Sequence, residues 1–193
     1  MNYLAHQFLS FHRPALQLGN LYGEIVRGKD YENFPEEIKK GILLHRRIDT
    51  FTDAHPVVKK SSKKFHEKYG KYAPIIIDVT YDYFLIQNWT KYSSEEFEEF
   101  VEDCYNLFRY HFPTFPSNLQ YIIEHLLKYD WFHNYQTLEG IQQTLNGISQ
   151  RSKFSNQIGQ AVNEIEMHSE ELNEEFNLFF PELIEHCQEF IEF

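Results

Sequence analysis

The sequence predicts an all-α protein, a single-domain helical bundle of about eight to ten helices covering residues 1–193. Three observations lead there. Every periodic apolar segment repeats at helical spacing, where a strand would alternate in steps of two. No hairpin turn, internal repeat or glycine-rich phosphate loop interrupts these segments. Eight Gly and seven Pro leave little material for flexible linkers, while 18 Phe and 13 Tyr supply a core built on rings.

The elements follow in order. A short helix covers residues 2–10. A second runs over residues 14–27, with Leu18, Leu21, Tyr22 and Ile25 on one side and Gly19 and Gly23 leaving room for a close neighbour. Pro35, Glu36 and Glu37 open the third, because an early proline presets φ and first-turn acids face the positive end of the helix dipole. It stops near Ala54, and Pro56 opens a lysine-rich helix ending near Gly70. The stretch APIIIDV has the composition of a strand, but the helical period continues to Trp89, so residues 74–90 read as helix. Ser93-Ser94-Glu95-Glu96 reads as a capping box for a helix to about Tyr110. After a turn at residues 112–116 a further helix reaches Tyr129, residues 131–134 form a short aromatic link, and residues 137–149 form a modest helix. A long helix from Phe154 carries Ile158, Ile165, Leu172 and Phe176, and Pro181 restarts a final one with Leu183, Cys187 and Ile191.

Charge and cysteine content exclude several classes. The net charge of −11 argues against nucleic-acid binding. The N-terminal stretch lacks the basic leader and sustained apolar run of a secretory signal, and no run is long enough to span a membrane. Two widely spaced cysteines, Cys104 and Cys187, form neither a disulfide framework nor a zinc knuckle, so a reduced, cytoplasmic setting is expected. The charge is uneven. Residues 39–71 hold ten of the 18 basic residues, Lys59, Lys60, Lys63 and Lys64 among them, against three acids, a balance of +7 that leaves −18 elsewhere. This window is either a solvated helix face or a docking surface for an acidic or phosphorylated partner.

The chemistry concentrates in the same window. His45, Asp49 and Asp53 stand at four-residue steps, each a turn of about 40° on a helix, so they form one row beside Ile42 and Ile48. Asp78 and Asp82 repeat the arrangement on residues 74–90, next to Ile75, Val79 and Leu85. Carboxylates on apolar faces need compensation. One reading is a centre for Mg²⁺ or Mn²⁺ made by His45, Asp49, Asp78 and Asp82, with His6 and Glu24 as further ligands. The other is a set of buried ion pairs with Arg46, Arg47, Lys71 or His45. Asp53 and His55, at a helix end, either bind phosphate and move protons or form a capping turn.

The motifs MNYLAH at the start, GN-x-x-G-x-x-V-x-G at 19–28, GI-x-LHR-x-ID-x-FTD-x-HP at 41–56, D-V-x-YD-x-FL at 78–85, N-W at 88–89 and FFP-x-L at 179–183 resemble those of acyl carrier protein phosphodiesterases, almost end to end. The resemblance implies an HD-phosphohydrolase-like helical fold using Mn²⁺ or Mg²⁺. It also implies hydrolysis of the phosphodiester joining 4′-phosphopantetheine to a serine of holo-acyl carrier protein, giving apo-carrier and 4′-phosphopantetheine. The matching positions are His6, His45, Arg46, Asp49, Asp53, His55, Asp78 and Asp82. In this reading His45, Asp49, Asp78 and Asp82, with Glu24, hold the metal; Arg46 binds phosphate oxygens; Asp53 or His55 handles protons; and the basic window meets the acidic carrier. Two positions depart from the family pattern: Glu24 stands in place of aspartate, and Tyr83 in place of histidine. Two other functions fit the same residues: an HD-like phosphohydrolase acting on another phosphoester, and a non-catalytic carrier-binding homologue.

Overall fold

The computed structural model describes residues 1–192, which contain helices and no strand. The α-helices are α1 (Tyr3–Phe8), α2 (Pro14–Gly23), α3 (Glu36–Ala54), α4 (Pro56–Tyr69), α5 (Ala73–Gln87), α6 (Trp89–Tyr92), α7 (Phe97–His111), α8 (Ser117–Lys128), α9 (Trp131–Asn134), α10 (Leu138–Arg151), α11 (Val162–Met167) and α12 (Ser169–Glu192), with short 3₁₀ turns between some of them. The all-helical expectation holds. The helices outnumber the expected eight to ten because α6 and α9 are single turns and the segment after Phe154 is divided.

The expected boundaries at prolines and acids are met for α3 and α4. Pro35 stands just before α3, Glu36 and Glu37 fill its first turn, and Pro56 begins α4 immediately after it. Three expectations differ. Pro181 does not restart a helix but lies inside α12. Phe179, Phe180 and Leu183 around it are fully buried, and their packing outweighs the loss of one backbone hydrogen bond. Residues 154–176 are not one helix: a 3₁₀ turn at Ile158–Gln160 precedes α11, and α12 starts only at Ser169. The expected capping box at residues 93–96 is instead a turn in which the Ser93 hydroxyl accepts from the Glu95 N–H at 3.0 Å, and α7 begins at Phe97.

Ring packing around α12 and α5 forms the core. Phe176 and Phe180 stack at 4.9 Å, Tyr81 meets Phe176 and Phe179 edge-on and tilted, and Phe8 and Tyr92 close on Phe180. Helix α5 buries residues on nearly every side, including Ile76, Ile77, Thr80, Tyr81 and Leu85, as expected of a central helix. A buried polar knot ties α4 to α12. Ser61 donates to Glu175 at 2.5 Å, and Lys64 donates to both Glu175 oxygens at 2.7 and 2.9 Å. Burial alone would raise the Glu175 pKa, but its hydrogen bonds from Lys64, Ser61 and Lys60 together lower it.

Helices α2 and α3 approach closely because two glycines face each other. A Cβ on Gly41 would stand 2.6 Å from the Leu16 carbonyl oxygen and 2.7 Å from the Gly19 Cα, both rigid backbone. Gly41→Ala is expected to push α3 off α2 and to destabilise the protein by about 1–3 kcal/mol, the range of an overpacked interior, as measured by urea denaturation. Unchanged stability would mean that the two helices yield at no cost.

Candidate functional site

Helix α1 is too short to stand alone, and Asp82 holds it in place. This carboxylate is fully buried on α5 and accepts from the backbone N–H groups of Leu4 at 2.9 Å, Asn2 at 3.3 Å and Ala5 at 3.4 Å. It caps the positive end of α1. Anchored in this way, α1 turns His6 towards α2 and α3.

Asn20, buried on α2, then organises two imidazoles. Its amide nitrogen donates to the His6 carbonyl at 2.9 Å and to the Ser10 hydroxyl at 3.1 Å. The amide oxygen therefore faces the rings. It lies 2.8 Å from His6 Nδ1 and 3.0 Å from His45 Nδ1. A carbonyl oxygen only accepts, so both Nδ1 atoms carry protons. The rings stack at 4.3 Å, and both Nε2 atoms reach Asp49, at 3.1 Å from His6 and 3.3 Å from His45. Gly23 makes space for this arrangement, since a Cβ there would sit 2.3 Å from His45 Cγ.

The protonation states set the chemistry. Burial, with His45 beside it, lowers the His6 pKa even though Asp49 pulls the other way. Burial would raise the Asp49 pKa, but hydrogen bonds with His45 and His6 outweigh it and hold the carboxyl well below the usual range. With Nδ1–H fixed by Asn20, a neutral ring presents an Nε2 lone pair to an ionised carboxylate. A proton on Nε2 makes the ring an imidazolium that donates to Asp49; without it, the lone pairs and the carboxylate form a donor set open to a cation. A divalent ion fits this donor set, as imidazole nitrogens with a carboxylate suit Mn²⁺ and related metals. One ligand atom from each of His6, His45 and Asp49 lies within 4.8 Å of the others.

The cluster opens into a cavity of about 380 Å³, also lined by Tyr3, Glu24, Arg27, Asp53 and Asp78. Asp78 faces it while receiving a 2.8 Å hydrogen bond from the Met1 ammonium. Burial, then the neighbouring Asp78, raises the Asp53 pKa at the rim. Burial, then Glu24, raises that of the Tyr3 phenol, which hydrogen-bonds the Glu24 carboxylate.

The structure thus brings together His45, Asp49, Glu24, Asp53 and Asp78, and joins His6 to them. Three expected assignments require correction. Asp82 is not with the cluster, because α1 occupies its oxygens. Arg46 is turned away: its guanidinium donates to the carbonyls of Gly28 at 2.7 Å and Val26 at 3.2 Å and lies over Tyr31, so it clasps the chain after α2. His55 caps α4, its Nδ1 accepting from the Val57 N–H at 3.3 Å, while its Nε2 meets Glu182 at 3.2 Å. Of the four lysines, Lys60 and Lys64 pair with Glu175 at 3.0 and 2.7 Å. Lys59 and Lys63 instead line a second cavity of about 460 Å³ that shares Asp53 and Asp78 with the first. Tyr83 packs against Phe84 and does not line the central cavity.

Sequence reasoning missed Asn20 and Arg27. The signal for Asn20 was available: an asparagine inside an apolar helix is disfavoured unless its amide has partners. Arg27 lies beyond the end of α2 in an irregular segment, where spacing says nothing about direction.

The fold and site define an all-helical protein in which two buried imidazoles and a half-buried carboxylate open into a polar cavity. The model of the family described as acyl carrier protein phosphodiesterase matches residues 1–183. The chain is 32% identical to the acyl carrier protein phosphodiesterase of Yersinia enterocolitica over 98% of both proteins. It is 31% identical to that of Enterobacter sp. strain 638, over 95% of this chain and 96% of the relative. No solved structure matches it. The chain belongs to the acyl carrier protein phosphodiesterase family.

Asp82 also makes stability depend on pH. Burial, its largest influence, raises its pKa to about 7, against the pull of the Met1 ammonium and the backbone N–H groups. The folded chain therefore holds this proton more tightly than the unfolded one. Its contribution to stability is full below about pH 4 and is lost progressively as pH rises to about 7. Asp82→Asn has no proton to release, so urea denaturation from pH 4 to 7 is expected to show that decline flattened in the variant. An unchanged slope would remove Asp82 as its source.

Proposed function

We propose that this chain is a metal-dependent hydrolase that cleaves the phosphodiester between 4′-phosphopantetheine and the serine of holo-acyl carrier protein. The observation that carries this reading is the convergence of His6 Nε2, His45 Nε2 and the Asp49 carboxylate on one point inside the cavity, in a chain of this family. His6, His45 and Asp49 are the ligands for Mn²⁺ or Mg²⁺. Glu24 and Asp78 line the same cavity. The ion, when bound, supplies a Lewis acid for the phosphoryl oxygens and lowers the pKa of water.

The chain's own residues do the rest. Asn20 fixes both rings so that their Nε2 atoms face the cavity. Arg27, at the rim, neutralises phosphoryl oxygens in the place first expected of Arg46. Asp53, at the rim, passes the proton given up by the attacking water to the departing serine Oγ. Water adds its oxygen to phosphorus, the bond from phosphorus to serine Oγ breaks, and Oγ leaves as the hydroxyl of apo-carrier. Lys59 and Lys63 attract the acidic carrier by charge. Two free, buried cysteines suit a reducing, cytoplasmic setting, and no helix among the described residues is long and apolar enough to cross a membrane.

The test is mass spectrometry of holo-carrier incubated with the chain and Mn²⁺, together with metal analysis. Loss of the phosphopantetheine mass is expected. His6→Ala and Asp49→Ala should each lose bound metal and turnover by a factor of at least about 10². Arg46→Ala and His55→Ala, which alter only a clasp and a cap, should keep metal. Undiminished turnover in Asp49→Ala would remove the centre from the reaction. Hydrolysis of other phosphoesters with the carrier intact would favour the broader phosphohydrolase reading. Carrier binding without metal or turnover would favour the non-catalytic one.

A further inference from the structure

The central cavity has two open neighbours of different chemistry. On the α4 side, the second cavity shares Asp53 and Asp78 with it and carries Lys59 and Lys63. Through a different part of its lining, a third cavity of about 610 Å³ shares Asn2, Tyr3 and Ile148 with it and runs between α8, α9 and α10. The third cavity is aromatic and rich in amides. Tyr121, His125 and Tyr129 form a ladder at four-residue steps along α8, with ring centroids 4.2 and 5.8 Å apart. Trp131 packs tilted against Tyr3 at 5.3 Å where the two cavities meet, and Gln143 and Gln150 face in from α10. The two tyrosines are conspicuous: Tyr121 is 57% and Tyr129 52% exposed, large rings on a groove wall that pack against His125, with the Lys128 ammonium 5.2 Å from the Tyr129 ring.

A phosphodiester also has two unlike arms. In the substrate proposed above, on which this inference rests, one arm is an acidic protein. The other is an uncharged chain of two amides, a gem-dimethyl group and a thiol. We infer that the aromatic groove between α8 and α10 is the subsite for the pantetheine arm, and that the lysine cavity beside α4 faces the carrier protein, so that the diester is threaded through the central cavity in one direction only. Rings cover the gem-dimethyl and methylene segments, and side-chain amides satisfy the arm's amides, which would otherwise lose hydrogen bonds on leaving water. The lysines give nothing to an uncharged arm and much to an acidic protein. In this direction the serine Oγ departs towards Asp53, which stands on the α4 side of the cavity.

Free pantetheine, which lacks the phosphate, is the probe for the groove, and apo-carrier is the probe for the lysine face. Calorimetry reads both without turnover. The double variant Tyr121→Ser/Tyr129→Ser is expected to bind pantetheine about tenfold more weakly and apo-carrier as the unaltered chain does. Lys59→Glu/Lys63→Glu is expected to do the reverse. Since all four side chains are exposed, each variant's retained ligand reports that it has folded. Unchanged pantetheine affinity in the tyrosine variant, or loss of apo-carrier binding there, overturns the assignment of arms. Failure of the unaltered chain to hydrolyse holo-carrier overturns the activity instead, and pantetheine binding that depends on Tyr121 and Tyr129 would still uphold the groove.

Discussion

One side-chain amide governs what the two buried imidazoles are able to do. The nitrogen of Asn20 is committed to the His6 carbonyl and to Ser10, so its oxygen must face both rings. Had the amide nitrogen pointed there instead, each Nδ1 would have to accept, and the neutral rings would pair with Asp49 through Nε2–H as plain hydrogen-bond donors. With Nδ1–H fixed, each Nε2 is either a lone pair or part of a cation. Two imidazolium rings stacked at 4.3 Å in a buried site are unfavourable. What remains is two neutral rings, or one protonated ring beside a neutral one, with the Asp49 carboxylate against both Nε2 atoms. Hydrogen-bond accounting thus leaves at least one Nε2 lone pair beside a carboxylate, a donor set that a cation fits.

That arrangement depends on a six-residue helix being held still. Asp82 secures α1 through three backbone N–H groups, and Gly19 with Gly41 lets α2 and α3 close up so that Asn20 reaches both rings. Asp82 is therefore tied to the site without being a ligand. A carboxylate at the N-terminus of a short helix and a carboxylate on a metal both satisfy the cost of burial, and sequence spacing does not separate the two outcomes.

This explains which parts of the site were legible in the sequence. His45, Asp49 and Asp53 lie on one helix, where a period of 3.6 residues fixes their common direction, and the structure keeps all three beside the cavity. The boundaries of α3 and α4 were legible for the same local reason, since prolines and first-turn acids act within a turn. Arg46 is one residue beyond His45, about 100° around the helix. The motif groups them, and the geometry parts them, because the guanidinium reaches the Gly28 and Val26 carbonyls on a segment whose path spacing does not describe. His55 follows the same logic: a residue just before a helix-opening proline is placed to cap, and its ring does so. The continuous α12 through Pro181 and the break before Ser169 were not legible, because tertiary packing of Phe176, Phe179 and Phe180 outweighs the local preference of proline.

The basic window resolves into two functions by the same rotation. Lys60 and Lys64 form one row on α4 and Lys59 and Lys63 another, offset by one residue and so by about 100°. The first row turns to α12, where Glu175 is almost completely buried and needs positive charge to remain ionised. Removing those lysines would leave an uncompensated carboxylate in the interior, a stability defect with no bearing on recognition. The second row looks over a cavity that contains Asp53 and Asp78 and joins the one lined by His6, His45 and Asp49. Of the four lysines on this helix, two are thus a structural clamp and two remain exposed on a cavity wall. In a chain with a net charge of −11, that exposed pair belongs to the one window with a positive balance, and of the four only its charges are free of an internal partner that burial demands.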